Sequence, residues 1–174
     1  MKKHFLMSLF IFCLLGSLPL QASYRMQKIT FPYPLQFNQV KTVAGDSYLF
    51  LKTPCFILLV NSHQGAMDVS YWQKKLKERY PSQNVYAVAG LAEMPAIIQK
   101  MTKETLTREP LIYFYDWKGS LNEQLFVLED PFDHVKLKPP GLTLLVMGTD
   151  KRLWRAPIEL NKNIFYEDVF KQIR

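Results

Sequence analysis

An α/β domain, a mixed central sheet with helices on both faces, is what this sequence predicts, on three observations. Residues 55–61, CFILLVN, form a continuous apolar run bounded by Pro54 and a polar loop, the pattern of a strand buried on both faces. From there to residue 115 apolar runs alternate with segments of helical spacing, strands and helices in turn, the order that argues for a sheet with helices on both faces. The chain then closes with an apolar strand, a polar turn, a return strand and one more helix.

Taken in order, the 174 residues begin with Met1-Lys2-Lys3-His4, an apolar stretch from Phe5 to about Leu20, and the small residue Ala22. A basic start, a short apolar middle and a small-residue exit predict a secretory signal peptide over residues 1–22, cut after Ala22. The apolar stretch is shorter than the roughly 20 residues that span a bilayer comfortably. A lipoprotein signal is not indicated, because Cys13 lies inside the apolar core after Phe12. Residues 23–39 read as an extended leading segment, with Pro32 and Pro34 restricting themselves and their predecessors. The domain proper is residues 40–174, and its sheet opens with an N-terminal β-hairpin: strands over residues 35–43 and 48–51 around the turn 44–47, AGDS.

The central strand, residues 56–61, leads through the loop Ser62-His63-Gln64-Gly65-Ala66-Met67 to a helix from Asp68, read as its N-cap, to Tyr80. Val69, Trp72, Leu76 and Tyr80 fall on one face of that helix, with Lys74, Lys75, Lys77 and Arg79 mostly on the other. A strand over residues 84–89 follows, then a helix from Pro95 to about Leu106 with Ile97, Ile98 and Met101 inward. Residues 111–115 read as a strand, Asp116 to Gly119 as a turn, and residues 120–127 as either a short helix or a strand. An irregular loop over 129–140 precedes the hairpin of strand 142–147, turn 148–151 and strand 152–156. The last helix covers 166–173, with Phe165, Val169, Phe170 and Ile173 facing the sheet.

Removing the signal segment leaves 152 residues, the size of one domain with one real core. Lys2 and Lys3 leave with it and no acid does, so 20 basic residues remain against 15 acidic ones, a net charge near +5. That excess is scattered and lacks the interleaved basic and aromatic pattern of nucleic-acid modules, so nucleic acid is not an expected partner. The four basic residues at 74–79 read as a solvated helix face, or as a docking surface for an acidic partner or membrane. Of two cysteines, only Cys55 lies outside the signal segment, so no internal disulfide is expected.

Three places carry a resemblance. Residues 43–52, VAGDSYLFLK, resemble the small hairpin that opens thioredoxin-like domains of the peroxiredoxin and periplasmic-thioredoxin type. Residues 115–121, YDWKGSL, resemble their Asp-x-x-Gly turn, and residues 143–155, TLLVMGTDKRLWR, resemble their closing hairpin. The resemblance spans residues 40–174 and implies a thioredoxin-like fold. It also sets two departures in view. Where that superfamily places its reactive Cys, this chain has Ser62-His63-Gln64-Gly65-Ala66-Met67-Asp68; where it has a cis-Pro before the hairpin Thr, this chain has Leu142 before Thr143. Periplasmic proteins of the YtfJ family are similar in having the fold and a hairpin strand without that Pro. The implication is a secreted or periplasmic, redox-inactive domain acting as a binding or assembly module for another envelope or secreted protein or peptide, with no cofactor.

The groove between Ser62, His63 and Asp68 on one side and Leu142 and Thr143 on the other is the candidate binding surface. Cys55 is the weak catalytic candidate of the alternative reading, a thiol-dependent oxidoreductase or peroxidase working with an external thiol. Its position at the start of a buried strand favours a core thiol. His63 with Asp68 has the elements of a base and its orienter, but no nucleophile is placed beside them. His134 with Asp130 and Asp133 lacks a fourth ligand, so no metal site is expected. Of the tryptophans, Trp72 reads as core and Trp117, after the turn Asp, as the one most exposed. A third reading is a structural protein held at the membrane by an uncleaved signal segment.

Overall fold

The computed structural model describes residues 25–42, 51–92, 95, 113–127 and 138–173. Residues 1–22 of the expected signal segment, the turn of the first hairpin and its return arm up to residue 50, the helix expected from Pro95 beyond that residue, and the part of the loop carrying His134 lie outside the described residues.

The described elements are β1 (Arg25–Met26), β2 (Val40–Thr42), β3 (Cys55–Val60), α1 (His63–Arg79), β4 (Asn84–Gly90), β5 (Tyr113–Asp116), α2 (Ser120–Leu125), β6 (Phe126–Val127), β7 (Leu142–Met147), β8 (Ile158–Glu159) and α3 (Tyr166–Ile173). Six strands form one mixed sheet in the order β2-β5-β4-β3-β7-β8. β3 is parallel to β4 and β4 to β5, while β7 runs antiparallel to β3 and β2 antiparallel to β5. β1 and β6 form a separate antiparallel pair.

Alternation along β3 divides the core in two. Phe56, Leu58 and Val60 face Val69, Trp72 and Leu76 of α1 together with Val169 and Phe170 of α3. Cys55, Ile57 and Leu59 face the other way, onto Leu121 and Leu125 of α2 and Leu35 from the leading segment. All six residues of β3 and all six of β7 are buried, which is why both read as unbroken apolar runs rather than alternating ones. Residues 31–34 lie extended along the domain, where Tyr33 and Leu153 exchange backbone hydrogen bonds of 2.8 and 2.7 Å.

Several boundaries differ from the sequence reading. α1 starts at His63, five residues before Asp68, because Ser62 is the N-cap. In the first hairpin's leading arm, only Val40–Thr42 is strand, with a turn at 38–39 before it. Residues 120–127 are both things in turn: one helix, then a two-residue strand. The return arm of the last hairpin narrows to a bridge between Leu153 and Met147, and pairing with β7 resumes only at Ile158–Glu159. Phe165, expected to face the sheet, is 78% exposed. Its carbonyl accepts from Asp168 and Val169 N–H, so it sits at the N-cap of α3 with its side chain outside the apolar stripe.

Candidate functional site

The carboxyl end of β3 is where a strand-to-helix turn places chemistry in an open α/β sheet. Val60 hands the chain to Asn61, which ties three segments together. Its backbone N–H donates to Gly141 O at 2.9 Å, and its side-chain Nδ2 donates to Pro140 O and to Asn122 Oδ1, each at 3.1 Å. Asn122 Nδ2 returns a hydrogen bond to Asn61 Oδ1 at 2.9 Å. This reciprocal amide pair fixes the start of α2 and the 140–142 segment against the end of β3.

Ser62 follows with extended backbone, φ −147° and ψ 161°, and its Oγ accepts the Gly65 N–H at 2.9 Å. Gly65 is required by what lies opposite: a Cβ there would be 2.0 Å from Gly141 O and 2.6 Å from Gly141 C. The first turn of α1 is therefore in direct contact with the 140–142 backbone. Leu142 and Thr143 are each 1% exposed, and the Thr143 hydroxyl finds no hydrogen-bond partner among the described residues. Asp68 is also buried, its Oδ1 accepting from Gln64 Nε2 at 3.1 Å. It lies in the second turn and is not the N-cap. Of the five groove residues only His63 is exposed, with Met67 beside it on the open face of the helix.

His63 and Asp68 do not form a dyad. Five residues at about 100° each place them about 140° apart around the helix, one outward and one inward. Cys55 is 0% exposed and stands at the end of β3 away from Ser62, roughly 17 Å along the strand from Val60. Burial without a compensating charge pushes its thiol from about 9 up to about 12. Such a group remains a protonated core thiol at neutral pH, far from the helix N-terminus that would favour a thiolate.

Asp116 is the residue whose full role the sequence reading missed. Wholly buried, it accepts from Ser120 N and Ser120 Oγ through Oδ1, at 3.0 and 3.1 Å, and from Leu121 N through Oδ2 at 2.7 Å. It caps α2 from three residues before Gly119, which has no side chain of its own to offer, and the spacing Asp116-x-x-Gly119-Ser120 carried that signal. The tryptophans also fall differently. Trp72 is core as expected, but Trp117 is partly buried and stacked on Tyr115 at 5.4 Å, and the exposed one is Trp154 at 60%. Among the described residues there is no group of three or more His, Cys, Asp or Glu able to hold a metal ion, and no helix long and apolar enough to cross a membrane.

No family model matches the chain, and no curated protein matches it. Among solved structures the chain is similar to a thiol peroxidase from Chromobacterium violaceum, with a TM-score of 0.52 and 11% identity over 82% of this chain and 84% of that one. It is also similar to a peroxiredoxin-like protein from Aquifex aeolicus, with a TM-score of 0.50 and 10% identity over 87% of this chain and 90% of that one. At such identities the likeness is one of fold: the chain has a thioredoxin-like fold, a six-stranded mixed sheet flanked by helices.

Proposed function

We propose that this thioredoxin-like domain works outside the cytoplasm, in the periplasm or after secretion, as a redox-inactive binding or assembly module for another envelope or secreted protein or peptide. The observation that carries the reading is the state of its cysteine. Cys55 is the one cysteine beyond the signal-like residues 1–22, and it is sealed in the core with its thiol pushed up to about 12. At the start of α1, where a thiolate would gain from the helix N-terminus, Ser62 is committed to capping. The alternative, a peroxidase or oxidoreductase working through Cys55, needs an exposed and acidic thiol, and the burial opposes both. Because Gly65 and Gly141 are in contact, the surface left for a partner at this end is the outer face of the first turns of α1, His63 and Met67.

The test is affinity capture from an envelope extract with tagged wild type, Cys55→Ala, and the double variant His63→Ala with Met67→Ala, all checked for equal thermal midpoints. The reading expects the same captured protein with wild type and Cys55→Ala and its loss with the surface pair. Capture that depends on Cys55, or turnover of peroxide or disulfide by wild type above the Cys55→Ala level, would overturn it.

A further inference from the structure

The end of the sheet opposite Ser62 holds a cavity of about 360 Å³. Its wall is assembled from Phe56 on β3, Tyr80 after α1, Val146 and Met147 on β7, and Ile173 at the end of α3. The wall is held rigid by its own packing. Tyr80 meets Phe56 at 5.2 Å on one side and Phe170 edge-on at 5.9 Å on the other. Trp154 lines the mouth beside the exposed Pro54 and Thr149 and is itself 60% exposed, with its indole lying over Gly148, where an added Cβ would be 3.4 Å from Cδ1. A large aromatic left open to water at the rim of a preformed aromatic cavity is an arrangement that a ligand completes.

From this cavity we infer a binding site for an uncharged aromatic small molecule of two or three rings. Three features set the class. The volume is at the lower end of the roughly 300–1,000 Å³ of small-molecule sites, too small for a folded partner's loop. Among the described residues, none that lines the cavity carries a carboxylate, amine, guanidinium or imidazole, so a charged ligand would be desolvated without a partner there. The polar groups available are the Gln83 amide and the Gly148–Thr149 backbone, enough to orient one hydroxyl, carbonyl or ring nitrogen. The wall is formed from β3, β7, α3 and the residue that ends α1, all of which the core already fixes, so little ordering accompanies binding. Neither Cys55 nor the surface at His63 lines the cavity, so this site stands or falls separately from the function proposed above.

The experiment is a fluorescence titration of the protein with N-phenyl-1-naphthylamine, an uncharged probe that brightens in apolar surroundings. In parallel, 1-anilinonaphthalene-8-sulfonate supplies the same rings with a charge. Two variants act on the site from its rim: Trp154→Ala removes the mouth, and Ile173→Trp, at the partly buried end of α3, fills the cavity. The expected result is saturable binding of the uncharged probe at one site, at least tenfold weaker binding of the sulfonate, and at least tenfold loss with both variants at unchanged thermal midpoints. Absent or non-saturable binding, equal affinity for the sulfonate, or full affinity in both variants would overturn the assignment.

Discussion

Replacing Gly65 by Ala sets two physical effects against each other, and the sign of the result decides between them. Within a helix the change should stabilise by about 1 kcal/mol, since Gly gives up more backbone entropy than Ala. Here the new Cβ would sit 2.0 Å from Gly141 O and 2.6 Å from Gly141 C, so the start of α1 or the 140–142 segment must move by about 1 Å or more to restore ordinary contact. Movement of that size strains the Asn61 N–H to Gly141 O bond and the Ser62 cap on Gly65, both 2.9 Å. Overpacking against backbone costs roughly 1–3 kcal/mol, and weakening a part-buried hydrogen bond adds about 1 kcal/mol. After the propensity gain, the net expectation is destabilisation of about 1–3 kcal/mol, which for a domain of this size lowers the thermal midpoint by roughly 3–10 °C.

The assay is thermal and urea unfolding followed by circular dichroism, with Ser70→Ala on the exposed face of the same helix as the control. The control experiences the propensity effect alone and should be neutral to slightly stabilising. If Gly65→Ala instead gains as much as Ser70→Ala does, the contact is not there. Space would then exist between the helix start and the 140–142 segment, and the groove expected between Ser62, His63, Asp68, Leu142 and Thr143 would be open.

Four further outcomes are expected. Ser62→Ala should lower stability by about 1 kcal/mol in urea unfolding, while Ser62→Gly should cost only a few tenths of that. Asp116→Asn removes an acceptor from the three hydrogen bonds at the start of α2 and should cost roughly 1–3 kcal/mol, with amide exchange at Ser120 and Leu121 rising before exchange in the central strands. Asn122→Ala breaks the reciprocal pair with Asn61 and should cost about 1–3 kcal/mol, with the increase in exchange centred on Asn61. The stability difference between wild type and Cys55→Ala should depend on pH in one direction. The folded-state thiol is raised, so its contribution is fully present below about 9 and is lost as pH climbs toward about 12. Parallel unfolding midpoints for the two proteins across that alkaline range would contradict it.

Where apolar period alone decides an element, the sequence was readable. Residues 55–61 announced a doubly buried strand because both faces of β3 meet apolar layers, and α3 matched its expected span because Val169, Phe170 and Ile173 recur at helical spacing. What was not readable depended on distant partners. The Ser62-His63-Gln64-Gly65 stretch looked like loop because Gly65 weakens a helix locally, and the reason for it, the Gly141 carbonyl against which the helix rests, is 76 residues away. A local clue existed in Ser62, a good N-cap residue, but Asp68 offered the same clue closer to the apolar spacing. The placing of Trp117 was open to a better reading, since it lies two positions beyond Tyr115, just past the end of β5, and positions two apart in extended chain share a face. The exposure of Trp154 was not, because it follows from a hairpin arm that leaves the sheet between Leu153 and Ile158. The aromatic cavity is a feature of assembly, with walls drawn from four separate elements.

The central claim, that the domain carries no thiol chemistry, is tested most directly by alkylation of Cys55 followed by mass shift, in native and denatured protein from neutral to mildly acidic pH. A sealed thiol pushed up to about 12 predicts labelling only after denaturation. Rapid labelling of the native protein that persists at acidic pH would contradict the account and make Cys55 an activated nucleophile.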